Sequence, residues 1–247
     1  MKTTLQNLCK QMRLAHVLEV YETIPFENPT QYLEDLLLAE QSGRDQMKIR
    51  KLINKAKFPQ MKTFEGYSFE PITFPESMTA KKLKKVDFIS KKENVIMLGA
   101  VGTGKTHLAT AMGVEACKRG MKVRFFRVAD LVSTLQLRFQ AGTLQRFQKE
   151  MLNSDMLIVD ELGFVPFHKD GSELFFNLMS ECYERLSVVV TSNLEFSQWN
   201  TVFGDDRLTA ALVDRLVHHA HILAFTGESY RLKNALSHQS SAEPVTK

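Results

Sequence analysis

The sequence predicts an α/β fold, a five-stranded parallel sheet between helices preceded by a small all-helical module, and three observations predict it. Five apolar runs, at about 95–99, 122–128, 156–160, 187–192 and 220–225, alternate with helical stretches. Strands separated by helices build mostly parallel, doubly wound sheets. A glycine-rich turn joins the first of these runs to a helix, and the chain before it opens with helical periodicity. The expected organisation is a helical module over 1–58, an aromatic and basic connecting segment over 59–94 packed on the core, and the α/β core over 95–247.

In the module, Leu5, Leu8, Met12, Ala15 and Leu18 share helical spacing, so one amphipathic helix is expected over 3–20. Asn28-Pro29-Thr30-Gln31 reads as a helix start. Asn28 caps, Pro29 suits the first turn, and Gln31 sits where a capping-box partner reaches back. Tyr32, Leu33, Leu36 and Leu37 form the apolar face of that helix. A third helix is expected over about 43–57, with Met47, Leu52, Ile53 and Ala56 inward. Its outer face is basic: Arg44, Lys48, Arg50, Lys51, Lys55 and Lys57 against Asp45. The segment that follows carries Pro59, Phe64, Tyr67, Phe69, Pro71, Phe74 and Pro75. It is too aromatic for a flexible linker and should pack along the core.

Composition excludes several classes. With 247 residues, 44% hydrophobic and 24% charged, the chain can bury a sizeable core and is not a disordered polymer. No run approaches the length of a membrane span, and the N-terminus lacks the apolar block of a secretion signal. Cys9, Cys117 and Cys182 are too scattered for a disulfide framework or a thiolate metal site. A cytoplasmic location is expected. Charge is uneven: residues 112–150 carry eight basic and three acidic side chains, residues 151–247 seven and thirteen. That asymmetry suits a polyanion-facing surface, or a solvated one.

Gly99-Ala100-Val101-Gly102-Thr103-Gly104-Lys105-Thr106 matches the phosphate-binding loop at every required position, between the strand Val95–Leu98 and a helix from His107. Glycines let backbone N–H groups wrap phosphates, and the helix N-terminus adds positive potential. Lys105 would reach the β- and γ-phosphates, and Thr106 would offer a hydroxyl to Mg²⁺. Met156–Val159 is an apolar run ending in Asp160 and Glu161, so Asp160 is expected to hold Mg²⁺ through water and Glu161 to orient or deprotonate an attacking water. Ser187–Ser192 is a further buried strand. Asn193 after it is either a ligand of the water or γ-phosphate, or a turn-forming residue. One ring of the 59–78 stretch could border the base; packing in the core is the other reading. His218, His219 and His221 have no acid or cysteine at ligand spacing nearby and read as structural.

Together these residues amount to a family resemblance. The loop followed by His107-Leu108-Ala109, the strand end Val159-Asp160-Glu161-Leu162-Gly163 and Thr191-Ser192-Asn193 resemble AAA+ ATPases of the DnaA/DnaC branch. Trp199-Asn200, Phe203-Gly204-Asp205, the run from Leu208 to Leu216, His218-His219 and Gly227-Glu228-Ser229-Tyr230-Arg231 resemble IstB-like transposase helper proteins, over essentially the whole chain. The resemblance implies ATP and Mg²⁺ as cofactors, with Gly99, Gly102, Thr103, Gly104, Lys105, Thr106, His107 and Arg231 binding the nucleotide and Thr106 and Asp160 the metal. It makes Lys105 and Glu161 catalytic, Asn193 the sensor-1 residue, Arg231 the sensor-2 arginine, and Arg215 the arginine finger that completes a neighbour's site. Arg207 is a rival for the finger, and an ion pair of Arg215 with Asp205 or Asp206 is the alternative. Only 22 residues follow Phe225, too few for the usual helical lid. In the 130–150 region, Arg138, Arg146 and Lys149 are expected to follow nucleic-acid phosphates, as an inserted helix does in this branch.

The function implied is an ATP-dependent DNA-transposition helper with no membrane association. It would form homo-oligomers on duplex DNA with ATP, mark target DNA and stimulate a partner transposase. Slow hydrolysis, stimulated by DNA or partner, would release the assembly. A DnaC-like replicative helicase loader shares the core but takes single-stranded DNA. A small-molecule P-loop kinase and a non-hydrolysing scaffold are further readings. The paired Asp160-Glu161 speaks against the kinase, and the intact Lys105, Asp160 and Glu161 against the scaffold.

Overall fold

The structure is a computed structural model that describes residues 2–230. The chain divides into two compact units, the first ending at Leu52 and the second beginning at Ile53.

The first unit contains α1 (Lys2–Met12), α2 (Val17–Val20) and most of α3 (Pro29–Ala56). The single helix expected over 3–20 is broken. Arg13 takes a left-handed backbone (φ 57), and the Leu14 N–H closes back on the Cys9 carbonyl at 2.8 Å, a helix-ending geometry. The Glu40 carboxylate then caps α2, accepting from the N–H groups of His16 (2.8 Å) and Val17 (3.1 Å). Arg44 donates to Glu40 at 2.8 Å and to the Arg13 carbonyl at 2.7 Å. Burial pushes the Glu40 pKa up, but the Arg44 bond and the two backbone N–H groups outweigh it and leave it lowered.

Asn28 caps α3 as expected, accepting from the Gln31 N–H at 2.8 Å. The Gln31 side chain turns to Asp35 instead of reaching back. The two helices expected from this point are one continuous helix of 28 residues. Gly43 does not break it. It gives room to His16, whose ring would lie 2.2 Å from a β-carbon there. The expected apolar faces are largely open: Leu5, Leu8, Met12, Leu33, Leu37 and Met47 are exposed, while Cys9, Val17 and Glu40 are buried.

Among the described residues the second unit is built on six strands: β1 (Ile72–Thr73), β2 (Asn94–Gly99), β3 (Val123–Arg127), β4 (Met156–Leu162), β5 (Ser187–Ser192) and β6 (Ala220–Phe225). Their order is β1-β6-β2-β5-β4-β3. The five expected strands are present and mutually parallel. The sixth, β1, is an addition, pairing antiparallel to β6 through Ile72↔Phe225 and Thr73↔Ala224. Two residues between Pro71 and Pro75 are too few to leave a periodic signal.

The helices are α4 (Ala80–Lys84), α5 (Lys105–Lys118), α6 (Val128–Gln140), α7 (Leu144–Leu152), α8 (Lys169–Cys182), α9 (Asn200–Phe203) and α10 (Asp206–Val217). Strand residues alternate between faces. Leu157, Val159, Val188 and Val190 join the cluster formed with α6, α8 and α10, while Ile158 points to α5. Helix α5 is buried without interruption from Leu108 to Val114. Gly113 explains how a second layer fits on it: a β-carbon there would lie 2.6 Å from the Phe58 ring. Its interior glycine costs about 1 kcal/mol in helix propensity and admits that ring. Around the connecting segment, aromatic rings pack against one another. Tyr67–Phe69 centroids are 5.0 Å apart and Phe58–Phe125 6.2 Å, with Lys84 4.9 Å over Phe69.

Beyond β6, the Thr226 N–H donates to the Pro71 carbonyl and the Tyr230 N–H to the Gly102 carbonyl, each at 3.0 Å. No lid domain follows β6 among the described residues, and none of their helices is long and apolar enough to cross a membrane.

Candidate functional site

Strand order sets the site. Strand β2 lies between β5 and β6, with β4 next to β5, and the carboxyl ends of parallel strands at such a reversal form the crevice where α/β proteins bind ligands. The loop 99–104 leaves β2 at that edge. Gly99 (φ 146), Gly102 (φ 82) and Gly104 (φ 97) all adopt backbones that favour glycine. Neighbours close in as well: a β-carbon on Gly99 would lie 2.4 Å from the Phe225 carbonyl oxygen, and one on Gly102 2.2 Å from the Ser229 hydroxyl. Gly104 is the N-cap of α5, so the N-terminal N–H groups of that helix face the loop.

Lys105 is buried inside the loop. Its Nζ donates to the carbonyls of Gly99 (2.6 Å) and Ala100 (2.7 Å), while the Thr103 hydroxyl donates to Ala100 at 2.9 Å. His107, on the first turn of α5, contacts the Thr63 carbonyl through Nε2 at 2.9 Å and stands 4.9 Å from the Tyr67 ring. Tyr67 itself donates to the Gly104 carbonyl at 3.3 Å, so the connecting segment places a ring beside the loop. Burial pushes the Tyr67 pKa up.

Asp160 forms the centre of the site. It is 1% exposed and accepts from the Thr106 hydroxyl (2.9 Å) and the Thr191 hydroxyl (2.6 Å). Thr191 in turn accepts the Glu161 N–H at 2.9 Å. A relay of hydrogen bonds therefore joins both acids to β5. Burial raises the Asp160 pKa, the two threonine hydroxyls pull it down, Glu161 adds to the rise and Arg127 opposes it. The β4–β5 register shifts between Val159 and Leu162, and Glu161 adopts φ 65. Such a bulge re-aims a side chain at a strand end. Glu161 is partly exposed and pairs with Arg127, at the end of β3, at 3.5 Å.

Asn193 follows β5. Its Oδ1 is buried with no hydrogen-bond partner among the described residues, 2.8 Å from where a β-carbon on Gly163 (φ 114) would stand. A buried acceptor without a partner is costly and calls for a ligand or water. The donor set fits the expected group. Thr106 and Asp160 offer the hard oxygen ligands that suit Mg²⁺, beside an ammonium and a glycine cradle for phosphate oxygens.

Lys105, Thr106, Asp160, Glu161 and Asn193 thus gather at one strand edge, and Arg215 does not. It lies in the last turn of α10, donates to the Ser180 hydroxyl and stacks 4.7 Å over the Phe176 ring, both on α8. The ion pair considered with Asp205 or Asp206 is not formed. Asp205 instead caps α10 through the Leu208 N–H at 2.8 Å, and Asp206 accepts from Asn200 at 3.4 Å. The Leu216 carbonyl is bonded by Asn94, the first residue of β2, at 3.0 Å. Arg215 therefore sits at the strand-start edge, a strand length from its own loop. Arg207 is exposed on the first turn of α10. Arg138 lies in the last turn of α6, Arg146 and Lys149 lie on α7, and all three are exposed. Arg231 lies outside the described residues.

Sequence reasoning missed two residues here. Thr191 stood inside a quoted motif without a role, and only the β4–β5 pairing reveals it beside Asp160. Arg127 carried no signal beyond ending a strand.

The solved structures with similar folds include DnaA from Aquifex aeolicus bound to AMPPCP, at 21% identity and a TM-score of 0.56, covering 76% of this chain and 57% of that one. The DnaC helicase loader gives 21% identity and a TM-score of 0.51, over 66% of this chain and 96% of that one. These likenesses establish an α/β fold similar to those of DnaA and the DnaC helicase loader. Among relatives, the ATP-binding protein of insertion sequence IS21 from Pseudomonas aeruginosa is 37% identical over 206 residues, 83% of this chain and 78% of that one. That of insertion sequence IS5376 from Geobacillus stearothermophilus is 32% identical over 239 residues, 94% of this chain and 95% of that one. The model of the IstB-like ATP binding protein family matches residues 7–238, and the chain belongs to that family.

Proposed function

We propose that this protein is an ATP-dependent transposition helper. It would assemble on duplex DNA with ATP, stimulate a partner transposase, and release the assembly by hydrolysing ATP to ADP and phosphate. The observation that carries the reading is the relay Thr106–Asp160–Thr191–Glu161 behind a complete phosphate loop, in a chain whose relatives belong to insertion sequences.

The residues divide the work as follows. The loop N–H groups and Lys105 bind the phosphates and offset their charge. Mg²⁺, held at Thr106 and Asp160, would supply further neutralisation of the phosphate oxygens. Glu161 accepts a proton from the attacking water, which requires it to leave Arg127. Asn193, with its unpartnered Oδ1, orients that water. Arg215 acts on a neighbouring subunit. Its place at the opposite edge from its own loop supports this, because six strand residues at about 3.3 Å each separate the two. Charge stabilisation would then be complete only after assembly, and turnover depends on it. Arg138, Arg146 and Lys149 follow DNA phosphates without reading bases.

Particle size with ATP, on duplex and on single-stranded DNA at two salt concentrations, tests the reading. Large, salt-sensitive assemblies on duplex DNA are expected. Assembly on single strands alone would favour a helicase loader, and no DNA-linked assembly would defeat both.

A further inference from the structure

The nucleotide site occupies one edge of the sheet, and a second group of coordinating side chains stands at the other. The α8–β5 connection carries Tyr183 and Glu184, and the α10–β6 connection carries His218 and His219. Tyr183 and His218 are 35 positions apart in sequence, which is why no ligand spacing is legible there. The fold brings them together. One ligand atom each from Glu184, His218 and His219 lie within 4.8 Å of one another, and all three residues are exposed. His219 Nε2 is 3.7 Å from Glu184 Oε1, and the two imidazole centroids are 4.1 Å apart. The Tyr183 hydroxyl meets His218 Nδ1 at 2.8 Å, which fixes that ring and leaves Nε2 available. His221 is different: its two nitrogens are engaged by Ser77 (2.9 Å) and Glu93 (3.0 Å) in the interior, a structural role.

The geometry points to a binding site for a zinc-class transition metal, formed by Glu184, His218 and His219 with water completing the coordination. Two imidazole nitrogens and one carboxylate oxygen are a recurrent Zn²⁺ donor set with an open fourth position. Bonds of about 2.0–2.2 Å require the ligand atoms to approach to about 3.4 Å, and exposed side chains reach this by small torsional changes. Imidazole donors favour Zn²⁺, Ni²⁺ or Cu²⁺, whereas Mg²⁺ takes oxygen ligands, so the nucleotide's metal does not compete. Tyr183 acts as the outer partner that orients a ligating histidine.

Such an ion ties the end of α8 to the end of α10. Arg215 sits in the last turn of α10 against Ser180 and Phe176 of α8, so the ion braces the element that presents it. That consequence rests on the role proposed for Arg215; the metal site itself does not.

The test titrates the full chain with Zn²⁺ against a chromophoric chelator, and follows Co²⁺ in its place by visible absorption. One metal per chain is expected. Affinity should fall by about 10-fold or more in Glu184→Gln and in His219→Ala, and by about 10-fold in Tyr183→Phe. Lys105→Ala, which alters only the phosphate loop, should bind Zn²⁺ as the parent does. No binding by the parent at micromolar metal would overturn the site. So would unchanged affinity in Glu184→Gln and His219→Ala, or loss of the ion in Lys105→Ala.

Discussion

Replacing Thr191 with valine removes one oxygen from the relay that joins the two acids, at nearly constant shape. Thr191 is 1% exposed, so water cannot substitute for the hydroxyl. Two bonds go with it: the one to Asp160 at 2.6 Å and the one from the Glu161 N–H at 2.9 Å. A hydrogen bond to a charged group contributes about 1.5–3 kcal/mol, and a stranded buried N–H costs about 1–3 kcal/mol. A loss of about 2–4 kcal/mol of stability is the expected sum, since the N–H is only partly buried. The Asp160 pKa, already raised by burial and held back by the two threonines, should rise further. An acid whose folded pKa lies above its unfolded value binds its proton more tightly when folded. Stability is therefore lost as pH rises from the ordinary carboxylate range through the raised value, and the variant extends that loss to higher pH. Thermal melts and Mg²⁺-dependent ATP turnover, from about pH 5 to about pH 8, read both effects. Turnover should fall about 10- to 100-fold, which is about 1.4–2.8 kcal/mol in the barrier, with its acid limb displaced upward. Thr191→Ser, which keeps the hydroxyl, should recover most of both. Valine and serine variants that behave alike would refute the relay.

Glu161→Gln should keep nucleotide binding but slow hydrolysis by about 100-fold or more, so that the DNA-bound oligomer persists; sedimentation after ATP addition reads this, and rapid turnover would remove Glu161 from its role. Arg215→Ala and Lys105→Ala should each be inactive alone, yet regain turnover when mixed, because a mixed interface restores one complete site; no recovery despite intact assembly would defeat action between subunits. Glu40→Gln should destabilise the N-terminal unit by about 1–3 kcal/mol at neutral pH. Because the Glu40 pKa is lowered, its contribution is full above the unfolded carboxylate value and lost as pH falls through the folded one. Hydrogen exchange of the α2 amides, compared at neutral and acid pH, checks this, and equal exchange at neutral pH would count against the cap.

The phosphate loop was legible because its chemistry needs contiguous residues: glycines for the backbone, then the lysine and threonine opening a helix. The three central parallel strands β2, β5 and β4 were legible because both faces are largely buried, which makes their sequences apolar runs, and β3 and β6, where buried and half-buried residues alternate, were legible from their apolar residues between helices. What pairing alone creates was not. Thr191 meets Asp160 only through the β4–β5 register, and Arg127 meets Glu161 only because β3 lies beside β4. The break at Arg13 was hidden because its cause, the Glu40 carboxylate, stands 24 positions beyond His16. Gly43 stands where a separate third helix was expected to begin, whereas the helix runs through it and its use is to admit the His16 ring. The N-terminal leucines were read as the apolar face of an amphipathic helix by their spacing, and spacing cannot distinguish a face buried within the chain from one left open.

Asn94 gives β2 a mechanical character. Its side chain donates to the Leu216 carbonyl and accepts the Val188 N–H at 2.8 Å, while its backbone N–H donates to the His219 carbonyl at 2.7 Å. At its far end the same strand becomes the phosphate loop through Gly99. A strand clamped by neighbours on both sides, and fastened at its base by three hydrogen bonds, is a strut rather than a hinge. A displacement of the loop along the strand is therefore opposed at the base of the sheet by those three bonds. In the assembly proposed above, a partner docked at the base of β2 would press on the strand that carries that subunit's own phosphate loop, without any domain having to swing.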